Sequence, residues 1–177
     1  MKYTVVSATE AHLPDLYSVI DAVAREGKYL AFTKAPAWKQ SLAFYQSLLN
    51  ANAPYFVALD GDAVIGWCDV SPLMGESRAH IGVLGMGLLP TAHGQGLGRQ
   101  LMEAAIAKSW VNGLSRLQLT VRADNLNAKM LYERMGFEME GLFRQGCVLG
   151  DEVHDVWSMA LLRKPTGDGP MVTSWLN

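Results

Sequence analysis

The segment 84–102 joins an apolar run to an amphipathic stretch through a turn rich in glycine. The run closes at Pro90, which has no N–H for a ladder hydrogen bond and therefore suits the end of a buried strand. Gly94, Gly96 and Gly98 follow, and glycine in the first turn of a helix costs roughly 1 kcal/mol relative to alanine. Three of them need a physical reason. A ligand phosphate that approaches the unpaired backbone N–H groups of a helix start supplies one.

The spacing of the glycines separates three kinds of phosphate-binding turn. The P-loop requires Gly-Lys-Ser/Thr, whereas this chain has Gly98-Arg99-Gln100. The dinucleotide fingerprint requires Gly or Ala where Arg99 stands. The stretch His93-Gly94-Gln95-Gly96-Leu97-Gly98 resembles the third, the Arg/Gln-x-x-Gly-x-Gly/Ala loop that binds the acetyl-CoA pyrophosphate in the GNAT superfamily of N-acetyltransferases, with histidine at its first position. Taken alone, the motif is equally compatible with a plain glycine-rich turn.

A second motif lies downstream, at residues 125–137. Its order of Asn125, Ala128, Leu131-Tyr132 and Gly136-Phe137 resembles the Asn-x-x-Ala-x-x-Leu-Tyr…Gly-Phe signature of the same superfamily. An ordinary amphipathic helix with a glycine cap would also fit this stretch. Because both motifs occur in the order typical of the superfamily, with a strand between them, the chain is identified as resembling this superfamily. Asp155 and Met159, which follow the stretch 140–144, are similar to the last two strands of its bacterial members that acetylate amino acids, other small amines or ribosomal-protein termini.

Periodicity along the chain predicts one strand, two helices, three strands, a helix, a strand, a helix and two strands. This order indicates an α/β fold, and the resemblance implies a mixed, mostly antiparallel sheet of about seven strands with helices on both faces. One domain is expected over residues 1–162. A tail is expected over 163–177, with Met171, Val172 and Trp175 available to pack it back. The predicted helices are 12–25, 38–50, 94–112 and 126–135, and the predicted strands are 3–8, 55–59, 64–70, 78–89, 117–121, 137–142 and 153–161.

Composition narrows the possible partners and location. The net charge of −2 gives no general attraction to nucleic acid or to anionic membranes. The N-terminal residues lack an apolar signal core, and no apolar run reaches the roughly 20 residues of a membrane span, so a cytoplasmic protein is expected. Cys68 and Cys147 match no metal-ligand or redox spacing, which favours two reduced structural thiols and no metal site.

The resemblance implies acetyl-CoA as cosubstrate. Its pyrophosphate is expected on the backbone N–H groups of the glycine loop, while the strand before the loop pairs with the pantetheine arm and polarises the thioester carbonyl. Arg99 is either a nearby cation or a solvated surface arginine, and Asn125 is either a cofactor contact or a plain helix cap. The predicted cofactor-binding residues are Met86, Gly87, Leu88, His93, Gly94, Gln95, Gly96, Leu97, Gly98, Arg99 and Asn125.

Proton transfer is less fully specified by the sequence. Tyr132 matches the tyrosine that the superfamily places near the CoA sulfur as general acid. The superfamily often carries a glutamate base on the strand before the loop, where this chain has Val83. His80 and Glu76, near the predicted start of the same strand, are therefore the candidate bases, with Glu26 or a chain of waters as alternatives.

The acceptor site is expected in the least periodic regions, residues 26–36, 72–77 and 144–152. Glu26, Tyr29 and Phe32 are the candidate substrate-binding residues, and the aromatic side chains suggest an apolar or aromatic element in the acceptor. The predicted function is transfer of an acetyl group to a primary amine of a small molecule. Acetylation of a protein N-terminus, as in ribosomal-protein acetyltransferases, and non-catalytic acyl-CoA sensing are the alternatives. A homodimer is compatible with the superfamily.

Overall fold

The computed structural model describes residues 3–164, and the element order is the one that the sequence predicts. The strands are β1 (Tyr3–Ser7), β2 (Tyr55–Asp60), β3 (Ala63–Pro72), β4 (Ile81–Leu88), β5 (Arg116–Arg122), β6 (Glu138–Leu149) and β7 (Glu152–Leu162). The helices are α1 (Leu13–Arg25), α2 (Trp38–Asn50), α3 (Leu97–Val111) and α4 (Leu126–Arg134).

The seven strands form one sheet in the order β1-β2-β3-β4-β5-β7-β6. Only β4 and β5 run parallel, and all other neighbours are antiparallel. This confirms the expected mixed, mostly antiparallel α/β sheet. The loop–helix–strand path through α3 supplies the crossover that a parallel pair requires.

Two apolar layers cover the sheet. On one face, the buried stripe of α1 packs with α2 residues such as Tyr45 and Leu48 against Val57 and Trp67. On the other face, Leu101 and Met102 of α3 and Tyr132 of α4 pack against Cys68 and Val70. Because side chains alternate along a strand, Trp67 and Cys68 point to opposite faces.

The strands β4 and β5 pair only along their first residues. Their register runs from Ile81↔Arg116 to Val83↔Gln118 and stops there, whereas β4 stays paired with β3 as far as Leu88. Beyond Val83, half of the β4 backbone groups therefore point toward β5 without a strand partner on that side. This opening lies directly before the glycine loop.

Two predicted element starts are wrong. The strand predicted from residue 78 begins at Ile81, because Glu76–Arg78 forms a 3₁₀ turn. The helix predicted from Gly94 begins at Leu97, because Gly94 and Gly96 have left-handed backbone angles that a helix does not contain. Thus only Gly98 lies within the first turn.

The predicted polar connection over 144–152 is also wrong. β6 continues to Leu149, and only Gly150 and Asp151 form the turn before β7. The strand bulges near Gln145, whose φ is 55° and whose backbone N–H donates to Asp155 Oδ1 at 2.8 Å. Polar residues mislead here because β6 is the edge of the sheet, where both faces are largely exposed.

The end of the chain is only partly described. Arg163 still contacts the domain through its backbone N–H, which donates to Ser115 O at 2.9 Å. The tail residues Met171, Val172 and Trp175 lie outside the described residues. Within 3–164, none of the helices combines the length and the apolar character needed to cross a bilayer.

Candidate active site

The glycine loop owes its shape to two left-handed residues. Gly94 and Gly96 have φ values of 71° and 77°, and a Cβ on either would meet no atom within 4 Å. Glycine is needed there for the backbone conformation, and the surface beside the loop stays open. Gly98 has a different role, since its Cβ would lie 3.2 Å from Leu131 Cδ2 and 3.3 Å from Met86 Cε. It allows α3 to pack closely against α4 and β4.

The start of α3 presents unpaired donors. Its first backbone hydrogen bond joins Gln100 N–H to Gly96 O at 3.2 Å, so the N–H groups of Leu97, Gly98 and Arg99 have no intrahelical acceptor. Together with the positive end of the helix dipole, these donors favour an anionic ligand at this surface. Arg99 adds positive charge, although its side chain is 71% exposed and its Nε donates to Glu103 Oε1 at 2.7 Å.

His93 braces the loop against β4. Its Nε2 lies 3.0 Å from Leu88 O, and because a carbonyl can only accept, this bond requires the proton on Nε2. The ring also packs edge-to-face on Tyr29, with centroids 6.0 Å apart. The structure thus ties the first position of the loop to the end of β4 and to the α1–α2 connector (residues 26–37).

Two glycines of β4 make room for side chains of β3. Trp67 pairs with Gly87 and Asp69 with Gly85 in the antiparallel register. A Cβ on Gly87 would lie 2.4 Å from Trp67 Cη2, and one on Gly85 would lie 3.3 Å from Asp69 Oδ1. The sequence analysis predicts Gly87 as a cofactor-binding residue, and in the structure both glycines leave room for side chains of β3.

Asp69 is the functional candidate that sequence analysis missed. Its partly buried carboxylate accepts a hydrogen bond from Ser71 Oγ at 3.3 Å. Burial raises the pKa of Asp69 to about 7, against the opposing effect of hydrogen bonds from Ser71 and Trp67. At neutral pH the group therefore exists in both protonation states, as a general base requires. The available signal was a single charge inside the apolar run 64–70.

A cavity of about 430 Å³ opens above this carboxylate. It lies on the α1–α2 face of the sheet, between both helices, their connector and the adjoining parts of β3 and β4. Its lining is mostly apolar, and Asp69 is the one charged side chain among its described residues: Ile20, Leu30, Phe32, Pro36, Gln40, Ser41, Phe44, Tyr45, Trp67, Asp69, Gly85 and Met86. A smaller cavity of about 150 Å³, lined in part by Ser7 and Lys108, contains none of the predicted site residues.

The connector that roofs the cavity is fixed at its far end. Asp21 Oδ1 accepts a hydrogen bond from Ala35 N–H at 2.9 Å, and Tyr17 Oη donates to Pro36 O at 3.1 Å. Arg25 donates to the same Asp21 carboxylate, and this pairing lowers the pKa of Asp21. The roof is thus held by hydrogen bonds to α1.

The predicted acceptor-site residues are only partly brought together. Phe32 lines the cavity, while Glu26 and Tyr29 do not. Glu26 Oε1 is buried without a hydrogen-bond partner among the described residues, and Tyr29 contacts His93 instead. Of the expected loops, 72–77 and 144–152 contribute no residue to the described lining, which α2 and β3 supply in their place.

Glu76 and His80 lie at the opposite end of β4 from the cavity. His80 precedes Ile81, and five strand residues at about 3.3 Å each place it roughly 16 Å from Gly85. Both residues are exposed. The structure therefore does not bring either candidate base to Asp69 or to the opening between β4 and β5.

Tyr132 is buried on α4, on the face of the sheet opposite the cavity. Its side chain packs in the same cluster as Cys68 and Leu131, with its ring 6.1 Å from Phe137. Burial raises the pKa of the Tyr132 phenol, which therefore stays protonated across neutral pH. Asn125 caps α4, its Oδ1 accepting a hydrogen bond from Ala128 N–H at 3.2 Å.

The family of the chain follows from a sequence comparison. The profile of the acetyltransferase (GNAT) family matches residues 17–137, which is more than half of the chain. The matched region holds the cavity, the glycine loop and Tyr132. The chain belongs to the acetyltransferase (GNAT) family.

Individual relatives agree with this assignment. Mycothiol acetyltransferase from Geodermatophilus obscurus is 41% identical over 88 residues, which cover 48% of this chain and 29% of that protein. The chain spans about a third of the mycothiol acetyltransferases that it matches. L-amino acid N-acetyltransferase AaaT from Escherichia coli is 28% identical over 128 residues, which cover 71% of this chain and 75% of that protein.

A solved structure shares the fold. The phosphinothricin acetyltransferase of the GNAT superfamily from Sinorhizobium meliloti, in complex with AcCoA, superposes with a TM-score of 0.87. The match covers 98% of this chain and 95% of that one at 21% sequence identity.

Proposed function

We propose that this chain transfers the acetyl group of acetyl-CoA to the primary amine of a small molecule held in the cavity above Gly85 and Met86. The observation that carries the proposal is the position of Asp69. A carboxylate with a pKa near 7 lies at the cavity floor, beside the strand that separates from β5. A base is needed there because an amine attacks only in its neutral form.

The donor side of the chain fits acetyl-CoA. The N–H groups at the start of α3 suit a pyrophosphate, and the open Gly94 and Gly96 backbone leaves room for its approach. The unpaired edge of β4 beyond Val83 offers peptide groups to an amide-containing arm. Family membership and the acetyl-CoA complex of the Sinorhizobium meliloti acetyltransferase support the same donor.

Asp69 and Tyr132 divide the proton transfers between them. Acetyl-CoA supplies an acetyl group activated as a thioester. The acceptor ammonium first gives one proton to the Asp69 carboxylate, which releases it to solvent. The neutral nitrogen then forms a C–N bond as the C–S bond breaks, and its surplus proton passes to the same carboxylate. Tyr132, kept protonated by burial, is the candidate donor to the departing sulfur.

Asp69 replaces Glu76 and His80 as the proposed base. It pairs from β3 with Gly85, next to the part of β4 expected to polarise the carbonyl, whereas those residues lie at the other end of β4. Met86 and Leu88 keep their proposed roles beside the donor arm, since their side chains lie beside Gly98 in the first turn of α3. His93 acts on the donor indirectly, by holding the loop to Leu88 O.

The test is an assay of acetyl transfer with purified protein, acetyl-CoA and a panel of small amines and N-terminal peptides. Release of free thiol should match the acetylated amine detected by mass spectrometry. Turnover of peptides alone would instead support the N-terminal acetyltransferase. Acetyl-CoA binding without turnover of any acceptor would support a sensor and contradict the proposal.

A further inference from the structure

We infer that the acceptor is a compact apolar monoamine without a carboxylate, its ammonium group on Asp69 and its hydrocarbon body against Phe32 and Phe44. The inference rests on the proposed function and specifies its substrate class. The inference follows from the charged side chains that line the cavity.

The walls offer apolar contact around one anion. Leu30 and Phe32 of the connector, Phe44 of α2, Trp67 of β3 and Met86 of β4 all line the cavity. Phe32 and Phe44 are 39% and 45% exposed, so an acceptor would cover apolar surface that water now contacts. The volume of about 430 Å³ is at the lower end of the roughly 300–1,000 Å³ that small-molecule sites span.

Most of the polar groups in the wall are already engaged with each other. Ser41 Oγ donates to Pro36 O at 3.2 Å, and the Tyr45 hydroxyl is hydrogen-bonded to Ser41. Burial raises the pKa of Tyr45 to about 12, so the phenol stays neutral. Gln40 is exposed at the rim and has a neutral amide. Asp69 is left as the group that can fix the orientation of a charged ligand.

No described lining residue is a lysine, arginine or histidine, and Lys34 and Lys39 are outside the lining although the connector and α2 carry them. An α-amino acid would therefore bring its carboxylate close to Asp69 with no cation to compensate it. Such a charge loses its hydration and is repelled by the carboxylate already present. The same acceptor without its carboxylate meets neither penalty.

A matched set of three acceptors separates charge from size. We expect kcat/KM for 2-phenylethylamine to exceed that for phenylalanine by roughly 100-fold or more, because the uncompensated carboxylate is excluded. Phenylalaninamide, which keeps the bulk but is uncharged at that position, should recover most of the loss. Equal or better use of phenylalanine would overturn the inference, and so would a phenylalaninamide as poor as phenylalanine, which would indicate steric exclusion.

A substitution at the rim of the cavity tests whether the missing cation sets the preference against a carboxylate. Gln40→Arg places a cation where the wall has none and should narrow the preference for 2-phenylethylamine over phenylalanine at least tenfold. Gln40→Met, of similar length and uncharged, should leave the preference within about twofold. If both variants behave alike, wall charge does not set the choice of acceptor.

Binding measurements test the proposed substrate class independently of catalysis. Calorimetric titration of the CoA-bound protein with 2-phenylethylamine and with phenylalanine reports the preference of the cavity even without turnover. Selective binding of the amine together with no acetyl transfer would contradict the proposed function and support the substrate class. Turnover with a preference for phenylalanine would do the reverse.

Discussion

The glycine loop and the cavity are two candidate binding surfaces on either side of the end of β4, and they are built by different means. The loop uses backbone N–H groups, and its shape depends on positive φ angles at Gly94 and Gly96. The cavity uses side chains contributed by α1, the connector, α2, β3 and β4. A single strand serves both, since Leu88 O anchors His93 and Gly85 accommodates Asp69.

This difference predicts two separable kinds of kinetic defect. Changes in the loop should alter the affinity for acetyl-CoA, because backbone donors hold a part of the cosubstrate remote from the chemistry. Changes in the cavity should alter the reaction of the bound amine, because its one charged group is the proposed base. A variant that affects both equally would show that the two surfaces are not independent.

The largest expected effect is on the cavity side. Asp69→Asn removes the base while keeping nearly the same shape, and kcat/KM for the amine should fall about 10³-fold, within the range of general-base contributions. The KM for acetyl-CoA should stay within about twofold. Asp62→Asn, at an exposed position in the β2–β3 turn, serves as the matched control and should be silent. An Asp69→Asn enzyme with nearly full activity would remove the central argument for this site.

The pH dependence of activity should differ between wild type and Asp69→Asn in a predictable direction. Because burial raises the pKa of Asp69 to about 7, the base becomes protonated as the pH falls through 7, and this protonation should contribute about a tenfold loss of wild-type kcat/KM per unit below it. The acceptor ammonium titrates in both enzymes, so the ratio of wild type to Asp69→Asn isolates Asp69. This ratio should shrink at low pH, and a pH-independent ratio would contradict the role of Asp69 as base.

Asp69→Asn should stabilise the fold although it lowers activity. The folded-state pKa of Asp69 lies above the ordinary value of 3.8, so its protonated form stabilises the fold below about pH 4 and this stability is lost as the pH rises through 7. Asparagine cannot ionise. Asp69→Asn should therefore raise Tm more at pH 8 than at pH 4.5, which also shows that its inactivity is not due to unfolding.

The same contrast explains what the sequence could predict. The glycine loop is local: residues within one short stretch determine its backbone angles, so the turn before α3 could be predicted, although α3 begins at Leu97 and not at Gly94. The order of elements was equally accessible from periodicity. Asp69 acquires its role only because β3 pairs with β4 in the register that sets it over Gly85, and Phe44 lines the cavity only because α2 packs beside α1. Periodicity predicts these elements but not their register.

Where the sequence pattern gave a wrong prediction, tertiary structure was again the reason. The residues 144–152 have the polarity of a loop, yet most of them belong to an edge strand that tolerates polar side chains on both faces. Glu76 and His80 are close in sequence to Gly85 and Met86, which line the cavity. In the fold they lie at the other end of an extended strand.

Tyr132 tests whether the second face of the sheet takes part in the chemistry. Tyr132→Phe removes the hydroxyl from a buried ring, and kcat should fall about 10²-fold, the low end of the range for a general acid, because burial makes the phenol a weak one. Acetyl-CoA affinity should be almost unchanged. Ser109→Ala, which removes a buried hydroxyl near the C-terminal end of α3, is the control for packing. If kcat is unaffected, water or another group protonates the thiolate.

A smaller effect is expected in the loop. Gly96→Ala forces a side chain onto a residue with φ 77°, at a cost of roughly 1 kcal/mol, and adds a methyl group to the open surface. We expect about a tenfold rise in the KM for acetyl-CoA with little change in amine kinetics at saturating donor. Gly113→Ala has the same strain, at φ 88° and with nothing within 4 Å, but lies beyond the far end of α3. It should lower Tm similarly and leave KM unaltered, so equal KM values for the two variants would refute the anion site.

The smallest effect concerns Arg99, whose charge is largely exposed to solvent. Arg99→Ala should raise the KM for acetyl-CoA only about two- to threefold, because an exposed pair contributes less than about 1 kcal/mol and salt screens it. Glu103→Ala provides the opposing change: it releases the guanidinium from its 2.7 Å partner and should lower this KM slightly or leave it unchanged. Both effects should vanish in high salt. A tenfold or larger rise in the KM for acetyl-CoA in Arg99→Ala would mean that this side chain, and not the backbone of the loop, provides most of the binding to the pyrophosphate. The contrast between a donor site built from backbone and an acceptor site built from side chains would then fail.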